Sequence, residues 1–163
     1  MKTIMIAGCT MFVAAQAYAQ AAPELAGLAK AVSTAEASLD ARAFDAELDR
    51  ERGGLVYEVS LVKNGRAVHA DIDAVTGKLV RQKSQRALPW VEDKDELKAA
   101  QTAPRNLTQT IAMVEGATKG KVSDISMERR QGRHYYDVEL VGAQDRDVMV
   151  DVLTGAITPV IDD

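Results

Sequence analysis

Tyr57-Glu58-Val59-Ser60-Leu61-Val62 returns 79 positions later as Tyr136-Asp137-Val138-Glu139-Leu140-Val141. In both stretches the apolar side chains Tyr, Val and Leu fall at every second position, which is the period of a β-strand with one buried face. The same offset superimposes Leu28 on Leu107, Glu36 on Glu115, Asp45 on Asp124, Arg50 on Arg129 and Gly53 on Gly132. A one-residue deletion then changes the offset to 78, placing Asp73, Thr76 and Gly77 on Asp151, Thr154 and Gly155. A register held over this many positions implies a duplicated unit.

Outward from the repeated strand, each unit reads as one helix followed by three strands. Leu25, Leu28, Val32, Ala35 and Leu39 recur at helical spacing after Pro23, and Leu107, Ile111 and Val114 do so after Asn106, a residue suited to capping a helix start. Gly116 and Gly120 predict a shorter or frayed second helix. Phe44, Ala46 and Leu48 alternate, as do Ile125 and Met127; Val68, Ala70 and Ile72 correspond to Val148 and Val150. Asn64-Gly65 is a hairpin signal, because both residues tolerate the positive φ of a tight two-residue turn. A sheet with one polar face needs cover on the other, and the helix supplies it.

The predicted fold is therefore α+β: two repeats, each one helix packed on a three-stranded antiparallel sheet. The boundaries read as an export signal over 1–19, repeat one over 20–83, a linker over 84–104 and repeat two over 105–163. Pro89 and Pro104 bracket the linker, in which Glu92 to Gln101 reads as a short charged helix and Trp90 as its packing anchor. Units this small are marginal alone, so they are expected to pack on each other, on a second copy or on a partner.

Composition narrows the function classes. The chain has 163 residues, is 47% hydrophobic and 27% charged, and carries a formal charge of −4. An acidic chain without a basic block makes a poor counterion for phosphate, so no nucleic-acid partner is expected. Lys2, the apolar run from Ile4 to Ala15 and Ala17-Tyr18-Ala19 predict a secretory signal cleaved before Gln20. Ile6-Ala7-Gly8-Cys9 offers a competing lipoprotein reading, but it strands most of the apolar run beyond the cut. No later stretch is long and apolar enough to span a membrane, so the mature chain is expected in the periplasm or the medium. Cys9, the single cysteine, leaves with the signal, which excludes a disulfide framework, a zinc ribbon and a cysteine nucleophile.

The order of elements, with Tyr-x-Val-x-Leu followed by Asp73-Ala74-Val75-Thr76-Gly77-Lys78-Leu79, resembles the PepSY domain family. The second unit matches through Tyr136 to Leu140 and Asp151-Val152-Leu153-Thr154-Gly155, with Val152 in place of Ala74 and Ala156 in place of Lys78. The resemblance implies an extracytoplasmic protein, of a domain type that also occurs in propeptides of secreted metallopeptidases. The chain carries no His-Glu-x-x-His, so any action on a peptidase is in trans. Asp-x-x-Thr-Gly itself is turn chemistry: carboxylate and hydroxyl satisfy turn amides while glycine takes positive φ.

No nucleophile elbow, phosphate-binding glycine loop or helical histidine pair is present, and no catalytic residue or cofactor is assigned. His69, Asp71 and Asp73, at alternate positions of one strand, share a face and form a weak candidate for a divalent metal. The bland reading of these three is a polar strand face, and His134 reads as a rim histidine. The sequence thus predicts an exported, non-enzymatic monomer or homodimer that binds an extracytoplasmic protein or peptide, with a peptidase as one candidate partner. The alternative is a small-ligand or divalent-cation accessory of a sensor or transporter.

Overall fold

The computed structural model describes residues 24–51, 53–84, 94–141 and 147–160. The signal, Trp90 and the turn predicted at Gly142 to Asp145 lie outside the described residues. In chain order the elements are α1 (Leu28–Leu39), β1 (Arg42–Glu51), β2 (Gly54–Lys63), β3 (Arg66–Asp73), β4 (Leu79–Ser84), α2 (Lys94–Thr102), α3 (Leu107–Thr118), β5 (Lys121–Arg130), β6 (Arg133–Val141), β7 (Val148–Asp151) and β8 (Ile157–Pro159). The strands described form a single antiparallel sheet in the order β4-β3-β2-β1-β5-β6-β7-β8. The fold is α+β, but each half contributes four strands rather than three. The fourth strand was hidden because Leu79-Val80-Arg81-Gln82-Lys83 is an exposed, charged edge without apolar alternation, and β8 is only three residues long.

The two halves are joined through β1 and β5, whose paired register consists of Ala46↔Ile125 and Glu47↔Asp124. Rather than two separate cores, the buried residues of α1, α2, α3 and the sheet make one cluster, with Val32, Val59, Ile72, Ile111, Ile125 and Val138 fully buried within it. Helices α1 and α3 pack on each other and on the sheet, while α2 packs against β1, β2 and β5. Leu97 and Ala100 are the residues α2 buries.

Local chemistry explains the element ends. Asn106 caps α3 by accepting from the Gln109 amide at 2.8 Å, and the Gln109 side chain accepts from the Asn106 amide at 3.0 Å, a reciprocal capping box. This anchoring carries α3 through Gly116, so it is as long as α1 and neither short nor frayed. α1 starts at Leu28 behind Gly27, later than Pro23 suggests, leaving Leu25 packed on the core from outside the helix. Each helix then hands over to its strand through a glutamate: Glu36 Oε1 accepts from the Ala43 amide at 3.1 Å, and Glu115 Oε1 from the Val122 amide at 3.3 Å. Immediately beyond lie two β-bulges, between Ala43 and Asp45 and between Val122 and Asp124. The bulge in β1 breaks the simple alternation read for Phe44, Ala46 and Leu48, since Phe44 is the extra residue. Asn64 and Gly65 both take positive φ (53° and 72°) in the β2–β3 hairpin, as their pairing predicted.

Because one core and one sheet contain both halves, chemical unfolding should be a single transition, with amide signals of β2 and β6 lost at the same midpoint. Replacing Ile125 by Ala at the seam should cost about 2–5 kcal/mol without splitting that transition. Two resolved midpoints, monitored by NMR during a urea titration, would show instead that the halves unfold independently.

Candidate functional site

His69, Asp71 and Asp73 all lie on β3, but the structure gives each a different task. His69 Nδ1 is 3.0 Å from Ser60 Oγ on the neighbouring strand. Asp71 is almost fully buried (1% exposed), and the Arg81 guanidinium of β4 donates to its Oδ2 and to Glu51 Oε1. Lys83 Nζ lies 3.5 Å from the other oxygen of Asp71 and 3.6 Å from Glu58 Oε1. Asp73 Oδ1 accepts from the Val75 and Thr76 amides and from the Thr76 hydroxyl, at 3.2, 2.6 and 2.8 Å. Among the described residues, the acidic side chains whose oxygens gather within 4.8 Å are Glu51, Glu58 and Asp71, already facing two cations.

The Asp73 arrangement recurs at the far end of the sheet. Asp151 Oδ1 accepts from the Leu153 and Thr154 amides and the Thr154 hydroxyl, at 3.1, 2.8 and 2.9 Å. In both turns the threonine amide is the main reason the aspartate carboxyl sits below its ordinary range. Gly77 and Gly155 close these turns with φ of 67° and 76°, where a side chain would be strained. At Gly155 a Cβ would also meet the Arg105 guanidinium.

A match to the family model described as "Peptidase propeptide and YPEB domain" covers 27–83, the span from the start of α1 to the end of β4. Residues 27–83 are thus similar to a PepSY domain. The Asp73–Gly77 turn lies within the matched span. PepSY domains are as a rule non-catalytic propeptide or regulatory domains. Among curated proteins nothing matches. A crystal structure described as a "putative lipoprotein", from Clostridium difficile 630, is similar over 83% of this chain and 92% of its own, at 18% identity and a TM-score of 0.44. That likeness is too loose to bear on function. No helix among the described residues is long and apolar enough to cross a membrane.

Two surfaces of the sheet stand out that sequence reading did not single out. The first is edge strand β4, which pairs with β3 on one side and with no strand on the other among the described residues. Val75, Leu79 and Val80, 46%, 38% and 62% exposed, cluster at its start. The opposite edge, β8, is three residues long and ends in Pro159, features that blunt strand addition.

The second is an acidic stripe across the seam. Glu47 stands opposite both Glu58 on β2 and Asp124 on β5, and Asp124 opposite Glu139 on β6. Burial, followed by repulsion from Asp124, Glu47, Glu58 and α2 residue Glu96, pushes the Asp45 carboxyl up to about 7. Burial, then Glu139, Glu47 and Asp137, raises Asp124 to about 6. Register created this stripe: carboxylates far apart in sequence became cross-strand neighbours only when β1 met β5.

A carboxyl that holds its proton more tightly when folded adds stability below its unfolded pKa and loses it as pH rises through its folded pKa. Urea unfolding should therefore show stability falling from pH 5 to pH 8, through the Asp124 and Asp45 titrations. Asp45→Asn should flatten that slope and raise stability at pH 8; a slope unchanged by this substitution would remove Asp45 as its source.

Proposed function

We propose that this protein is an exported, non-catalytic binding protein, built from two copies of one PepSY-like unit over 20–83 and 105–163, that receives an extended segment of an extracytoplasmic protein along β4. The observation that carries this reading is the contrast between the two sheet edges. An open edge offers main-chain donors and acceptors to an incoming strand, and side chains along it set selectivity. β4 offers six residues without proline and an apolar start, whereas β8 is short and ends in proline. Arg81 and Lys83 border the edge with their charges engaged by Glu51, Glu58 and Asp71, so the apolar contacts at Leu79 and Val80 would dominate recognition.

The duplication is supported by corresponding devices at matching positions: the Glu36 and Glu115 ties, the two bulges, and the Asp73 and Asp151 turns. Export is supported by the Lys2 to Ala19 signal pattern and by the PepSY match. Since the matched description names peptidase propeptides, a separate peptidase restrained in trans is the partner class to test first.

The test is chemical crosslinking in the native cell envelope with an amine-reactive reagent, read by mass spectrometry. Partner crosslinks should concentrate on Lys78 and Lys83, which flank the edge, and should fall at least about tenfold in a Val80→Glu variant whose fold is unchanged by circular dichroism. Crosslinks that map elsewhere, or that survive Val80→Glu, would overturn β4 as the docking edge. A captured peptidase whose activity is unaffected by the purified protein would remove the inhibitory reading while leaving the edge in place.

A further inference from the structure

The second half of the chain contains a cleft of about 390 Å³ between α2 and the ends of β5, β6 and β7. Its size is that of a small-molecule site. Lys98 of α2, Arg129 of β5, and Arg133 and His134 of β6 all line it, with Ala99, Val152 and Leu153 as apolar wall. His134 Nε2 is buried and has no hydrogen-bond partner, an arrangement that costs stability unless a ligand completes it.

The charges around that nitrogen are lopsided. Three permanent cations face two carboxylates, Asp95 and Asp151, in a chain whose net charge is −4. Asp151 is fully engaged: its Oδ1 serves the turn, and its Oδ2 accepts from Arg133 at 2.6 Å. Asp95 reaches Arg129 at 3.5 Å, on the exposed rim. No ion pair within the described residues engages Lys98, which is exposed. Arg133 is held in place by Asp151 and by lying 5.8 Å over the Tyr135 ring.

Arg133 and His134 have no like residues in the first half, although the backbone frame is the same there. The His134 carbonyl accepts from the Val152 amide at 3.1 Å, and the Leu55 carbonyl accepts from the Ala74 amide at 3.1 Å. At the corresponding positions, however, Gly54 and Leu55 stand where this half has Arg133 and His134. The imidazole and guanidinium are therefore not required by the fold. They have been placed on a frame that works with glycine and leucine.

We infer that this cleft binds a carboxylate-bearing ligand with a small apolar body, His134 Nε2 and the Arg129, Arg133 and Lys98 side chains donating to the carboxylate while Ala99, Val152 and Leu153 hold the rest. Cationic forks and a buried ring donor favour a planar anion with two acceptor oxygens. The same chemistry is offered by a free organic acid and by the C-terminal residue of a peptide. The site is separate from β4, so the two readings stand or fall independently.

The test is titration of the purified protein with N-acetyl-leucine, its primary amide, and an acetylated penta-alanyl-leucine with a free carboxyl terminus, following the histidine ring nitrogens by NMR and, for every variant, the heat of binding by calorimetry. N-acetyl-leucine should shift the His134 Nε2 signal saturably, and the amide should not. His134→Leu, which installs the residue found at Leu55, and Lys98→Met on an exposed helix face should each weaken binding about tenfold. Val80→Glu should leave it unchanged. Tighter binding of the peptide than of N-acetyl-leucine identifies a chain terminus as the ligand; equal binding identifies a free acid. No saturable shift with any probe, equal binding of acid and amide, or full affinity in both variants would each overturn the proposal.

Discussion

Two cross-strand pairs, Ala46 with Ile125 and Glu47 with Asp124, determine what kind of molecule this is. Without them the chain would be two four-stranded sheets, each with one helix and a core too small for comfortable stability. With them, β1 and β5 lose their status as edges, the helices α1 and α3 come into contact, and the apolar residues of both halves merge. The seam is apolar on one face through Ala46 and Ile125 and acidic on the other through Glu47 and Asp124. Its stability therefore depends on how the carboxylates share protons, while its position depends on the apolar face.

Much of the local structure was legible in the sequence because it rests on short-range chemistry. The Asn106 cap, the Asn64-Gly65 hairpin, the stripe of Leu28, Val32, Ala35 and Leu39, and the Asp73 and Asp151 turns are each decided by residues within one turn or one strand of each other. The matched residues Glu36 and Glu115 gained a reason only from the coordinates, where each ties its helix end to the following strand. Strands β4 and β8 were not legible, since edges lack the alternation that burial imposes on central strands. Nor was the seam, because nothing local in Ala46 or Ile125 says that they will meet. The candidate trio His69, Asp71 and Asp73 shows the limit of spacing as a guide. A shared strand was inferred correctly, but cross-strand neighbours and turn amides decide what each side chain does.

His134 is the converse case. Read in sequence it is a rim histidine; in the fold it lies beside three cations drawn from two strands and a helix, with a buried ring nitrogen. Among the described residues α2 has no equivalent in the first half, and its arrival over β5 makes the two halves chemically unlike on a similar backbone. The stretch between the halves thus does more than connect them. It supplies Lys98 and Ala99 to one end of the sheet and Leu97 and Ala100 to the common core.

Pro159 at the end of β8 has a further consequence for stoichiometry. A sheet with two receptive margins can be extended from both, and a head-to-tail series of molecules has no natural end. Here one margin ends in three residues and a proline, so growth from that side is arrested. A second copy of the chain therefore has no receptive β8 margin to offer to β4, and head-to-tail growth of the sheet through these two edges does not propagate.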